Sequence, residues 1–449
     1  MKKFLTLAAI ALAFASIDAS AQYYKDVFMD GGMYLSSKKD LPSTRYLGLS
    51  LECYYSTKTE EQTERDSIIQ AALLTESDID ANGKLLYPDG APRFRCVYVN
   101  GGKANPHGRS IGEKGRQNYR DFVAGGGSYV GTCAGAYLAS TGSGAYDKAC
   151  DENFDIKTAK AKDIKPYPNY LGVYPAPVIR TSQVGWTKTD MIIPEDSPLL
   201  KYYDFGGDFK IDSVRHNGGC CITAHPQHFV PGTEILAYYK CYDETERERL
   251  EKGKWRLSGK ISMWAYKADE NTGRVVCCGS HPESVNNGEQ LQLFAAFLKY
   301  AMDGNGLPRV KGELLNGETR EMRKTTADGD PAYTRIGDKQ YHHFTVNIPE
   351  GAKNIKIELL SGENGFEECY LNLTLKKGDF AFRETADYID VRHKGKKVSE
   401  FKTLEPGLYY IGVEGETTVD VKKTDHGEEY KGHTEVLNGV PYTITVSWE

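Results

Sequence analysis

The stretch that most restricts what this chain can fold into is Gly125-Gly-Gly-Ser-Tyr-Val-Gly-Thr-Cys-Ala-Gly-Ala-Tyr-Leu-Ala-Ser140. Tyr129 to Thr132 reads as a short apolar strand, and the small residues after Cys133 open a helix. Gly131-Thr-Cys-Ala-Gly135 therefore has the form Gly-x-nucleophile-x-Gly. In that arrangement a side chain is held on a strained strand-to-helix turn, and a glycine on either side lets the two backbones approach. A helix N-terminus behind such a thiol favours negative charge on it. The plainer reading is a packing turn around a buried cysteine, the usual place of a free thiol.

A second stretch, Val275-Val-Cys-Cys-Gly-Ser-His-Pro-Glu283, is an apolar strand ending in His281 with a carboxylate two residues on. A catalytic thiol needs a base and a group that orients the base, usually distant in sequence and adjacent in the fold. With Asn100-Gly-Gly102 upstream, these residues resemble the class I glutamine amidotransferase-like superfamily. The Cys-Ala-Gly-Ala-Tyr form is similar to the amidotransferase-like domain at the N-terminus of some biotin protein ligases, over about residues 22 to 304. The resemblance implies Cys133 as nucleophile, His281 as proton shuttle and Glu283 as orienter. It places oxyanion donors on the backbone of Gly101 or Gly102 and of Ala134, with Tyr137 and Asn217 against the substrate. Arg215 and His216 are weaker pocket candidates, and for these residues and Asn217 a glycine-bearing hairpin turn is the competing reading. The chain departs from the family at Tyr137, where class I enzymes usually carry the glutamine that contacts substrate. Neither a synthase nor a biotin-ligase catalytic domain is expected in the chain, so glutamine-dependent synthesis and biotin transfer are not expected either.

Lys2 and Lys3, the apolar run Phe4 to Phe14 and Ala19-Ser-Ala21 read as a signal peptide cleaved before Gln22, so the expectation is a secreted or periplasmic protein without a transmembrane segment. A net charge of −6 gives no electrostatic case for nucleic acid or an anionic membrane. Ten cysteines in an exported chain could form disulfides, but Cys220-Cys221 and Cys277-Cys278 sit on apolar runs where neighbouring side chains face opposite ways. Mostly reduced or buried thiols are expected. His225-Pro-Gln-His228 reads as a loop rather than a metal site, and no cofactor is expected.

The predicted fold is α/β, a mostly parallel sheet flanked by helices of the class I amidotransferase-like, flavodoxin-like type, followed by an all-β sandwich. Phe94–Val99 and the nucleophile strand alternate with helical patterns at Glu64–Leu74 and Glu113–Ala124, which implies right-handed crossovers with sites at the C-terminal strand ends. Tyr170–Ile179 and Asp212–Ile222 read as strands with turns. Ile235–Lys240 and Lys260–Tyr266 read as paired strands around a charged loop, Asp243–Lys254. An apolar helix Gln290–Met302 closes the domain, and residues 305–335 read as a linker. Over 336–449 the pattern becomes alternating, with strands at His343–Ile348, Ile355–Leu359, Cys369–Leu375, Tyr409–Val413 and Tyr442–Val446. That region resembles the bacterial pre-peptidase C-terminal domain of secreted hydrolases. The sequence thus leads to a cysteine hydrolase of amide or peptide bonds, with a small-molecule or peptide substrate. The competing expectation is a catalytically silent protein on the same scaffold that binds a small molecule or a glycan, its C-terminal domain contacting a glycan or cell surface.

Overall fold

The computed structural model describes residues 19–36, 39–56, 76–146, 160–181, 187–425 and 427–449. Nearly all of the expected signal peptide and the whole of the expected helix Glu64–Leu74 lie outside the described residues.

In chain order the strands before residue 304 are β1 (Lys25–Gly31), β2 (Leu51–Tyr55), β3 (Phe94–Val99), β4 (Ser128–Thr132), β5 (Gly142–Tyr146), β6 (Ala161–Pro166) and β7 (Val178–Arg180). They continue as β8 (Thr187–Ile192), β9 (Lys210–His216), β10 (Cys220–Cys221), β11 (Glu234–Cys241), β12 (Ile261–Tyr266) and β13 (Val275–Cys278). The principal sheet is mixed and runs β2-β1-β3-β4-β13-β12-β11-β8-β9. From β2 to β13 all pairings are parallel. From β13 to β9 they are antiparallel. Parallel strands covered on both faces need continuous apolar runs, and β4 and β13 are buried at every position. The helix Gly288–Met302 packs against β3, β4 and β13 through Phe294, Phe297 and their neighbours. Tyr119, Phe122 and Val123 of the helix Gly112–Ala124 belong to the other main cluster of buried residues, with Leu138 of the helix after Cys133. A smaller sheet runs β10-β7-β5-β6.

Several expectations change in the structure. Of Tyr170–Ile179 only Val178 and Ile179 are in a strand, because Pro175 and Pro177 cannot donate to a ladder. The charged segment after Tyr242 is a helix, Asp243–Glu251, with three acidic residues in its first turn to complement the helix dipole. It is tied down by Glu246, which accepts from the backbone N–H of Leu257 (3.0 Å) and Ser258 (3.0 Å). Asn217–Gly219 is not a hairpin turn, since β9 pairs with β8 whereas β10 pairs with β7; it is a bend between two sheets. Residues 305–335, read as a linker, contain strands Val310–Glu313 and Thr319–Met322, each hydrogen-bonded into a C-terminal sheet.

One C-terminal sheet orders Val310–Glu313, Tyr341–Ile348, Gly407–Gly415, Leu371–Lys377 and Tyr388–Asp390; the other orders Thr319–Met322, Tyr442–Ser447, Ile355–Leu360 and Lys396–Phe401. Alternate residues of both, among them Phe344, Val346, Leu373, Ile411, Ile357, Leu359, Ile444 and Val446, are buried in one cluster. A hairpin of this region, Asp420–Thr424 and Gly427–Lys431, reaches back and extends the principal sheet beside β2, with Gly427 opposite Tyr54. Ion pairs cement that junction. Glu52 receives Lys25 (2.8 Å) and Lys84 (2.6 Å), and Lys25 also reaches Glu428. Arg93 pairs with Asp338 at 2.8 Å, its guanidinium lying over the rings of Tyr24 and Tyr430. No helix among the described residues is long and apolar enough to cross a membrane.

Candidate active site

Cys133 sits between the end of β4 and the helix Ala134–Ala139 with φ +48° and ψ −102°, a conformation that non-glycine residues rarely adopt. The flanking glycines explain how the turn can be so tight. A Cβ on Gly135 would lie 2.0 Å from the carbonyl oxygen of Val99, and one on Gly131 would lie 2.6 Å from the carbonyl carbon of Gly135. Strand and helix are thus in backbone contact on both sides of the thiol. Two hydrogen bonds lock the turn to neighbouring strands: Cys133 N–H donates to Cys278 (2.8 Å), and Gly135 N–H donates to Asn100 (3.2 Å).

The parallel register places Cys278 opposite Thr132, so the chain leaving β13 passes beside Cys133. Three residues on, His281 Nδ1 meets Glu283 Oε1 at 3.1 Å, with Glu283 buried in a single 3-10 turn begun by Pro282. The His281 ring meets Gly101 by its Cε1 edge, where a Cβ would fall 2.4 Å from Cε1. Burial alone would push the imidazole down. Hydrogen bonds that the ring donates to Cys133 and Glu283, together with the negative charge each can carry, outweigh it and lift His281 to about 10. Cys133 is 6% exposed and the His281 side chain 12%.

A third segment closes over the thiol. The Cys133 thiol points at the carbonyl oxygen of Asn217, 3.8 Å away, and Tyr137 donates its hydroxyl to Gly219 (2.8 Å) and Gly218 (3.3 Å). Gly219 and Gly279 are back to back, a Cβ on Gly219 falling 1.6 Å from the Gly279 oxygen, which brings the bend at 217–219 down onto the His281 segment. Behind it, Thr181 Oγ1 donates to Gly219 (2.7 Å), so it must accept the Nε2–H of His216 (2.9 Å). His216 Nδ1 is then left to accept from Ser280 Oγ (2.9 Å), next to His281. Burial first, then the positive charges of Arg249 and His281, push His216 down to about 3. A histidine held neutral in this way contributes stability above its unfolded value of 6.5 that is lost as pH falls toward 3. Below 6.5 each pH unit costs about 1.4 kcal/mol at this one residue. His216→Gln is therefore expected to flatten the acid limb of a stability-versus-pH curve measured by urea denaturation; a curve with the wild-type slope would show that His216 is not the group responsible.

The structure thus brings Cys133, His281, Glu283, Gly101, Ala134 and the Asn217 carbonyl to one place. Ala134 is the first residue of its helix, where backbone N–H groups have no partner within the helix. Gly102, at φ +147°, packs its Cα against Tyr34 and Leu35 and pairs with Leu35. Tyr137 is tied by its hydroxyl to the 217–219 bend, a positioning contact rather than a free substrate donor. The backbone oxygen of Arg215 receives His281 N–H at 2.8 Å. Sequence reasoning missed Ser280, Thr181 and Gly279, and gave His216 little weight. Only Ser280 carried a signal, its position immediately before His281. The nine described cysteines are free thiols, eight of them buried.

Residues 92–172, spanning β3 and the Cys133 turn, match the family described as biotin-protein ligase, N terminal. No curated protein matches the chain. Among solved structures, a glutamine amidotransferase is similar over 58% of this chain and 90% of its own, at 16% identity and a TM-score of 0.30. The pre-peptidase C-terminal domain of a collagenase from Bacillus anthracis is similar over 32% of this chain and 100% of its own, at 19% identity and a TM-score of 0.20. A thua-like protein from Bacteroides uniformis covers 61% of this chain and 90% of its own, at 12% identity and a TM-score of 0.34.

Proposed function

We propose that this chain is an exported cysteine hydrolase that cleaves an amide or peptide bond. On this reading residues 22–304 are an amidotransferase-like α/β domain with helices on a mostly parallel sheet, and residues 336–449 are a β-sandwich of the pre-peptidase C-terminal type. The observation that carries the reading is the placement of His281 between Glu283, at 3.1 Å, and a thiol held on a strained turn. With Nδ1 taken by Glu283, Nε2 serves Cys133. A protonated imidazole beside a thiol favours the thiolate, and at a value near 10 the ring is protonated at neutral pH.

The thiolate sulfur attacks the substrate carbonyl carbon. The Gly101 and Ala134 amides receive the oxyanion, each such donor being worth about 3 kcal/mol in comparable sites. The C–N bond breaks as His281 gives its proton to the leaving nitrogen, leaving a thioester on Cys133. Water then attacks the thioester carbonyl, passing a proton to His281, and the acid departs as the thiolate returns. Tyr137 in the place of the family's glutamine argues against free glutamine as substrate. The test is hydrolysis of a library of amides and short peptides by wild type and Cys133→Ala. Turnover that vanishes in the variant supports the reading; turnover that persists in it would overturn the reading. The second reading, a binding protein with a silent site, is favoured by one observation: the Cys133 thiol is nearly buried under the Asn217 carbonyl. Ligand-induced stabilisation that survives Cys133→Ala, with no turnover, would select it.

A further inference from the structure

Asn100-Gly-Gly-Lys103, the loop that carries the Gly101 amide, lies between β3 and a short helix, Ala104–Ser110. The turn that follows β1 sets its position. Ser36 N–H donates to the Gly101 oxygen (2.7 Å), and Lys103 N–H donates to the Tyr34 oxygen (2.8 Å). The Asn100 side-chain amide donates to the Ser36 oxygen. A Cβ on Gly102 would fall 2.3 Å from the Tyr34 oxygen, so the two backbones are in contact. Loop and turn therefore move together, and a group that holds the turn also holds the amide.

Asp30 is such a group. It stands one residue before the end of β1, opposite Val99, the last residue of β3 before the loop. Asp30 is 0% exposed, and its carboxylate accepts three hydrogen bonds from three elements. The Gly32 N–H reaches it from the turn at 2.9 Å, and Leu35 N–H closes that turn onto the Gly32 oxygen at 2.9 Å. His107 Nε2 reaches it from the helix Ala104–Ser110 at 2.9 Å, and the Tyr119 hydroxyl from the helix Gly112–Ala124 at 2.6 Å. Burial would push the carboxyl up, but His107 first, then the Tyr119 hydroxyl and the Gly32 amide, hold it below its ordinary value. It is a carboxylate at neutral pH and has no proton to give, so His107 Nε2 carries the hydrogen.

Apolar side chains could fill this space without the expense of burying an ion. They would also let the elements slide past one another. A carboxylate with three directed donors fixes the turn and the two helices within the narrow range of a hydrogen bond. An oxyanion donor needs that precision, because its worth depends on being in place before charge develops.

We propose that Asp30 is a positioning residue for the reaction at Cys133. Through the turn on one side of the loop and His107 on the other, it sets the Gly101 amide where the oxyanion forms. This role rests on the hydrolase reading, in which Gly101 receives that charge.

The test compares two reactions of the same thiol in the full chain. In acylation by p-nitrophenyl acetate the thiolate attacks the ester carbonyl and an oxyanion forms. p-Nitrophenolate then leaves with the bonding pair, and an acetyl thioester remains until water hydrolyses it. Alkylation by iodoacetamide displaces iodide from a saturated carbon and forms no oxyanion. Both rates are taken over those of Cys133→Ala. Asp30→Asn is expected to slow acylation about tenfold or more, a part of the roughly 10²–10³ lost with a whole oxyanion donor, and to leave alkylation within about twofold. Tyr119→Phe keeps the carboxylate and removes one donor. It should show the same selective loss in smaller measure, and it decides the matter if melting shows that Asp30→Asn does not fold. Acylation and alkylation that fall together would overturn the proposal, by showing a core loosened throughout. Acylation at the wild-type rate in the folded variants would overturn it too. If wild type itself releases p-nitrophenolate no faster than Cys133→Ala, the hydrolase reading fails, and the role of Asp30 with it.

Discussion

Arg93→Ala is expected to destabilise the folded protein by about 3–5 kcal/mol, the usual cost of removing one partner of a buried ion pair. Arg93 and Asp338 are 2% and 1% exposed, and their 2.8 Å bridge joins β3's approach to the C-terminal sheets. Without the guanidinium, Asp338 keeps one bond from Thr418 (3.2 Å) but loses its counter-charge in a place that water does not reach. The rings of Tyr24 and Tyr430 lose the cation between them as well. The pair need not be favourable in itself. Replacing both residues by apolar ones, Arg93→Met with Asp338→Leu, should recover most of the loss, because the desolvation of both charges disappears with them. Urea denaturation of the two variants decides the matter. A loss below about 1 kcal/mol in Arg93→Ala would mean that the junction is hydrated and the pair behaves as a surface bridge.

Gly135→Ala is expected to cost about 3 kcal/mol and to disable the thiol. Two effects oppose each other. Alanine is the better helix former by up to about 1 kcal/mol. Against this, the new Cβ would sit 2.0 Å from the Val99 oxygen and 2.9 Å from its carbon, both backbone atoms that cannot swing aside. The clash prevails, since overpacking against a fixed wall typically costs about 1–3 kcal/mol and sometimes more. The helix Ala134–Ala139 must lift from β3, stretching the Gly135–Asn100 hydrogen bond and carrying Cys133 away from His281. Stability should fall and Cys133 alkylation should slow together. A stable variant with wild-type labelling would show that the turn tolerates the movement.

The parts of this architecture legible in the sequence were those with one dominant cause. β13 is a continuous apolar run, β3 and β4 are apolar over Cys96–Val99 and Tyr129–Val130, and the helix Gly112–Ala124 shows its buried face through Tyr119, Phe122 and Val123. The Gly-x-Cys-x-Gly turn was readable because its glycines answer to backbone contacts at fixed spacing. What was not legible came from contacts distant in sequence. Nothing local to Asn217-Gly-Gly219 says that Gly219 meets Gly279 and makes a crossing between sheets. Nothing in Val310–Glu313 says that it will pair beside Tyr341–Ile348, and its polar composition hid the strand. The charged helix Asp243–Glu251 lacks an apolar stripe, yet it is held by Glu246 and by Arg249, whose guanidinium donates to the Thr181 oxygen at 2.6 Å. Tyr137 was given to substrate by analogy, whereas its hydroxyl is engaged by the glycine bend.

The claim on which the functional account rests is that Cys133 and His281 work as a pair. The pH dependence of Cys133 alkylation by iodoacetamide, followed by peptide mass spectrometry in wild type and His281→Ala, tests it directly. With His281 lifted to about 10 and therefore protonated across the neutral range, the account predicts rapid labelling already at neutral pH in wild type. It also predicts that His281→Ala slows labelling at neutral pH, because the cation that favours the thiolate is gone. Equal labelling rates in the two proteins across the pH range, or a Cys133 that does not label at all, would contradict it.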